Sequence, residues 1–144
     1  MLFRSLRIEN CLDALRPMSE WLAESCVALG ISDDLSYRFD LAANEAVANT
    51  ISYGYAPGAR GTIELCFDLT HGHAILVIED DGNAFNPLEL AEPRPASSIE
   101  DSRIGGLGVL LIRRSMGQCE YQRRGGRNVL TLKSPVLEIQ HESH

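Results

Sequence analysis

Residues Leu2 to Ile8 alternate imperfectly between apolar and polar types and predict a first strand, with Asn10 placed to cap the helix that follows. Leu15, Met18, Leu22, Cys26 and Leu29 then recur at helical spacing until Gly30 stops the run. Pro17 fits this helix either in its first turn or at a kink. A second helix is predicted to start from Asp33 or Asp34 as cap and to end at Gly54, with Leu35, Phe39, Ala42, Ala46 and Thr50 as its inward stripe. Between Gly61 and Leu69 the alternation is clean, with Ile63, Leu65, Phe67 and Leu69 on one side of a half-buried strand. After a turn at Gly72, Ala74 to Ile78 form an unbroken apolar run, the pattern expected of a strand near the sheet centre that is covered on both faces.

From Asn83 to Ile104 periodicity gives way to prolines, serines and acids, too long a stretch for an ordinary connection; it predicts a functional lid or disorder, near residues 83–105. Gly105-Gly106-Leu107-Gly108 opens a short helix reaching Met116. Two strands, Cys119 to Arg124 and Arg127 to Lys133, flank Gly125-Gly126, a hairpin signal because both positions accept positive φ. The expectation is one α+β domain over residues 1–135 followed by a frayed tail, 136–144. Its architecture is a two-layer α/β sandwich: a mixed, mostly antiparallel sheet with helices on one face.

Composition narrows the function classes. The chain has 144 residues, 44% hydrophobic and 23% charged, an ordinary globular balance for one domain. No apolar run approaches the ~20 residues of a bilayer crossing, and the start of the chain carries no export pattern, so a cytoplasmic protein is expected. A net charge of −7 argues against general nucleic-acid binding. The four cysteines, Cys11, Cys26, Cys66 and Cys119, are too scattered for a zinc knuckle or redox dithiol and are expected to be reduced and mostly buried.

Three segments can carry chemistry. On the second helix Glu45 and Asn49 are one turn apart, ~40° around the axis and ~6 Å along it, so a carboxylate and an amide oxygen can converge on a hydrated cation. Such a pair is also commonplace on a solvated helix face. At the end of the buried strand, Asp80-Asp81-Gly82 places a carboxylate where it can accept from an exocyclic amine, beside a glycine that lets a flat ring approach. An Asp-Gly turn is equally an ordinary strand terminator. The glycines at 105–108 stand before a helix, where unpaired N–H groups favour anions, or they are structural. His71 and His73 read as exposed turn residues, Arg113 and Arg114 as partners of their helix's C-terminal end, and Arg123, Arg124 and Arg127 as solvation of the hairpin.

Taken in order, Glu45-Ala46-Val47-Ala48-Asn49, Asp80-Asp81-Gly82-Asn83-Ala84-Phe85-Asn86-Pro87, Gly106-Leu107-Gly108 and Gly125-Gly126-Arg127-Asn128 resemble the GHKL ATPase superfamily, and within it the bacterial anti-sigma factor serine/threonine kinases. The likeness spans nearly the whole chain. It implies a Bergerat-type ATP-binding fold using ATP and Mg²⁺. By this resemblance Asn49 would bind the metal, Glu45 would act as general base, and Asp80 and Gly82 would hold the adenine. Gly105, Gly106, Leu107 and Gly108 would hold phosphates, with Ala84, Phe85, Arg103 and Thr131 as further nucleotide contacts. Ala84 stands where a glycine is common, Tyr53 where many relatives carry His, and Ile104 where an Arg is frequent. The implied partners are an anti-sigma antagonist protein, phosphorylated on Ser or Thr, and a sigma factor, with homodimerisation also implied. Membrane and direct nucleic-acid partners are not. Two other readings remain: a partner-binding module that transfers no phosphoryl group, and the detached catalytic part of a histidine kinase.

Overall fold

The computed structural model describes residues 3–89 and 111–136. Strand β1 (Phe3–Glu9) leads through a 3-10 turn, Leu12–Ala14, into helix α1 (Leu15–Ala28), and helix α2 (Asp33–Tyr53) follows. Strands β2 (Thr62–Thr70) and β3 (His73–Asp80) come next, then a helical segment at 111–115, and finally β4 (Gln118–Arg124) and β5 (Arg127–Pro135). The lid expected near 83–105 falls largely outside the described residues, as does nearly all of the tail.

The local causes are readable. Pro17 is the third residue of α1, inside the first turn, where no intrahelical N–H is lost. Gly30 ends the helix in the left-handed region at φ 72. The cap of α2 is Ser32, whose Oγ accepts from Leu35 N at 3.2 Å. Asp33 and Asp34 lie in the first turn instead of capping, where their charge still complements the helix dipole. Gly125 and Gly126 take φ 61 and 77, the two positive values that the tight hairpin requires.

The sheet order is β1-β2-β3-β5-β4, and all four pairings are antiparallel. β3 is the central strand. Its apolar run nevertheless alternates: Ala74, Leu76 and Ile78 are buried, whereas Ile75 and Val77 are half-buried. Among the described residues, cover is therefore found on one face and not on both. Met18, Leu22 and Cys26 of α1 and Phe39, Ala46 and Val47 of α2 close over one face. Phe39 meets Phe67 of β2 edge-on, with ring centroids 5.1 Å apart. Each such fully buried large side chain stabilises the fold by about 1.5–3 kcal/mol. The opposite face carries polar groups, among them Arg7 and Glu64 at 2.6 Å. Such partly solvated pairs contribute about 1 kcal/mol or less each. All four thiols are free, yet only Cys26 is buried. Among the described residues no helix is long and apolar enough to cross a membrane.

Candidate functional site

Helix α2 turns a buried stripe toward the sheet, and Asn49 lies at the edge of that stripe, 5% exposed. Its Nδ2 is buried and has no hydrogen-bond partner among the described residues. Leaving such a group unpaired costs about 1–3 kcal/mol. Glu45, one turn earlier, is half-buried.

At the C-terminal end of the central strand, alternation delivers Asp80 to the helix-covered face at 4% exposure. Oδ1 accepts from Gly82 N and from Asn128 Nδ2, both at 2.8 Å. Both bonds fall on one oxygen, and Oδ2 has no partner among the described residues. Burial pushes this carboxyl above the usual carboxylate range, against the opposing pull of Asn128, of the Gly82 N–H and of the Arg123 guanidinium. Gly82 is required by close approach: a Cβ there would lie 2.5 Å from the Gly54 carbonyl oxygen and 3.0 Å from Asp80 Oδ1.

The Asp80 turn is fastened to the end of α2. Asn83 N donates to Gly54 O at 2.7 Å, and Gly54 is the helix C-cap. Asn49 is thus only ~7.5 Å along the axis from this junction. Beside it the rings of Tyr53 and Phe85 lie 6.0 Å apart and tilted by 39°. Tyr55 donates to Asp81 Oδ1 at 2.8 Å, and Thr62 N donates to the same oxygen at 3.0 Å. Burial, and then the bond to Asp81, raise the Tyr55 phenol well above its ordinary value. Asp81 is held below the usual carboxylate range, chiefly by the Thr62 N–H.

The buried carboxylate of Asp80, Gly82 and, one turn back on the adjoining helix, Asn49 thus lie about one junction, the C-terminal end of α2. The family model described as "Histidine kinase-like ATPase domain" matches residues 8–134, nearly the whole chain. The chain belongs to the histidine kinase-like ATPase domain family. Among its relatives, "Serine/threonine-protein kinase BtrW" of Bordetella bronchiseptica is 36% identical over 79% of this chain and 80% of its own length. "Serine-protein kinase RsbW" of Bacillus subtilis is 22% identical over 72% and 71%. The crystal structure of the RsbU and RsbW domains of Rv1364c from Mycobacterium tuberculosis matches with a TM-score of 0.65 at 18% identity. That match covers 92% of this chain and 32% of the other, so it speaks for the fold.

Within this ATPase domain the candidate residues fall into three groups. Glu45, Asn49, Asp80, Gly82 and Phe85 stand on the α2 side or in the Asp80 turn that joins it, and Ala84 lies exposed in the same turn. Arg103, Gly105, Gly106, Leu107 and Gly108 lie outside the described residues. Thr131 is placed on the other face of the sheet: it pairs with Val77 and Glu120, whose side chains point away from the helices. It is therefore not a neighbour of Asp80.

The residue in register with Asp80 is Asn128, which candidate-picking by residue type missed. The available signal is the hairpin: counting on from Gly125-Gly126 sets which positions of the last strand share a face. Arg123, read as hairpin solvation, donates to Gly82 O at 2.9 Å and so belongs to the turn. Arg113, expected at its own helix end, donates to Leu88 O at 3.3 Å. His71 and His73 bond within their turn at 3.2 Å. Among the described residues no three His, Cys, Asp or Glu side chains converge on a metal position.

Proposed function

We propose that the chain is an ATP-dependent anti-sigma regulatory factor, a protein serine/threonine kinase that phosphorylates a small antagonist protein and sequesters a sigma factor. The observation that carries the nucleotide part is Asp80, a buried carboxylate whose Oδ1 is held by Gly82 N and Asn128 Nδ2 while Oδ2 has no partner among the described residues. Its relatives named as serine or serine/threonine protein kinases support the reaction class.

Under this reading Asp80 accepts from the adenine amine, Gly82 contacts the base and Phe85 flanks it. Mg²⁺ fits the donor set: Asn49 and Glu45 offer two oxygens one helical turn apart, and an ion held by one or two protein oxygens plus phosphates is what Mg²⁺ favours. When bound it would neutralise phosphate charge. Asn49 is the residue that would hold it. Glu45 takes the proton of a serine or threonine hydroxyl as that oxygen forms its bond to the γ-phosphorus and the bond to the ADP oxygen breaks. A base carried on a long helix is held rigidly against its nucleophile. Arg103 and the backbone at Gly105 to Gly108 are assigned to the phosphates, and Ala84 borders the base.

The test combines γ-labelled ATP, Mg²⁺ and the proteins that co-purify with the chain. Label on the serine or threonine of a small partner, reduced about 10²–10⁴-fold in Glu45→Ala, is the expected result. Capture of a partner with no label would replace this reading with a binding module, and label on histidine would replace it with a histidine kinase.

A further inference from the structure

Asn128 is 3% exposed, and its carboxamide is fully engaged. Nδ2 gives one proton to Asp80 Oδ1 and one to Asn83 O, each at 2.8 Å. Oδ1 accepts from Phe85 N at 3.2 Å, from Tyr121 OH at 2.5 Å and from Arg123 Nη1 at 3.1 Å. The peptide N–H and the guanidinium are donors only, so a flipped amide would set its own N–H groups against them and leave two acceptors unserved. The amide is thereby locked in one sense.

We infer that Asn128, held by Tyr121 and Arg123, is the positioning residue that fixes which oxygen of Asp80 faces the base, and that this relay makes the cleft select a 6-aminopurine over a 6-oxopurine. The inference rests on the nucleotide reading above. With Oδ1 committed to the Asn128 and Gly82 donors, Oδ2 is presented as a pure acceptor. An exocyclic amine satisfies it; a carbonyl at the same ring position meets it lone pair to lone pair. Without Asn128 the carboxylate can rotate or take a proton, and a protonated oxygen donates to a 6-oxo group as readily as its partner accepts from an amine. Asp80 faces Asp81, Tyr55 and Arg123 as its other titratable or charged neighbours, and none of these supplies a second donor fixed in the sheet register.

The experiment measures affinity for Mg-ATP and Mg-ITP by calorimetry at one pH in the wild type, in Asn128→Ala and in the Tyr121→Phe/Arg123→Ala double variant. The wild type is expected to favour ATP by at least ~10-fold, the scale of a hydrogen bond to a charged group. In Asn128→Ala that ratio falls toward one through loss of ATP binding while ITP binding changes little. In the double variant, which keeps the amide but removes two of the three donors to its oxygen and leaves only Phe85 N, the hold on the amide weakens and the ratio falls at least ~3-fold. A generally loosened fold weakens both nucleotides alike and leaves the ratio standing. An unchanged ratio in Asn128→Ala overturns the inference, as does an unchanged ratio in the double variant where Asn128→Ala does not fold. A wild type that binds neither nucleotide defeats the ATP reading itself, a distinct outcome.

Discussion

Replacing Asp80 by Asn separates function from stability, because the two respond in opposite directions. The amide keeps the carboxylate's shape, and with its oxygen at the Oδ1 position it still accepts from Gly82 N and Asn128 Nδ2, the two bonds now at 2.8 Å. Its NH₂ then occupies the place of Oδ2 and meets the adenine amine donor to donor. Losing a hydrogen bond to a charged acceptor costs about 1.5–3 kcal/mol, or roughly 10- to 150-fold in the dissociation constant of Mg-ATP. Stability moves the other way. Burial raises the folded carboxyl above its ordinary 3.8, so the native state binds the proton more tightly than the unfolded chain. The resulting penalty on the wild type sets in as pH rises from that value and is complete above the raised folded value. Asp80→Asn carries no such penalty. At neutral pH its unfolding midpoint is therefore expected at or above that of the wild type, with the difference closing on acidification toward pH 3.8. Calorimetric titration and thermal unfolding at several pH values measure both. A variant that keeps ATP affinity within about threefold, or that is destabilised at neutral pH, refutes the account.

Gly82→Ala forces a Cβ to 2.5 Å from the Gly54 carbonyl, which is itself held by Asn83 N. A loss of about 1–3 kcal/mol in chemical denaturation and a matching loss of ATP affinity are expected, and wild-type behaviour in both would contradict the close approach. Tyr55→Phe removes the bond to Asp81 and is expected to cost about 0.5–1.5 kcal/mol. Because Asp81 is depressed in the folded state, its contribution is present above the unfolded value and is lost as pH falls through the folded one. The Tyr55→Phe deficit is thus expected to shrink in acid, as followed by unfolding at graded pH.

Much of the fold was legible because its signals are local. The period-two alternation of β2 and the glycine pair of the last hairpin each state a structure within a few residues, and both appear in the sheet. The sequence does not single out Ser32 as cap, because Asp33 and Asp34 carry the same capping chemistry in adjacent positions; only the dihedral angles say which residue lies just outside the helix. The run from Ala74 to Ile78 misled for a different reason. Ile75 and Val77 are apolar but sit on a face that no described helix covers, and periodicity reports residue type, not what is stacked above it.

The candidate site divides along the same line. Glu45, Asn49, Asp80 and Gly82 could be singled out because each carries its chemistry within one helix turn or one strand end. Asn128 could not, since an asparagine after a hairpin is ordinary until the register shows it opposite a carboxylate that lies 48 residues away in sequence. The same register separates Thr131 from Asp80. Side chains of a strand alternate faces, so an odd step of three residues from Asn128 carries a side chain through the sheet to its far side. Thr131 then lies on the face away from Asp80, while Tyr121 and Arg123, an even step apart on the neighbouring strand, both reach the amide of Asn128. Parity relative to Asp80, more than residue type, decides which polar groups of the last two strands can reach the Asp80 turn. A polar group introduced at position 130, an even step from Asn128, would enter the helix-covered face, whereas the same group at 129 would remain on the far face with Glu79.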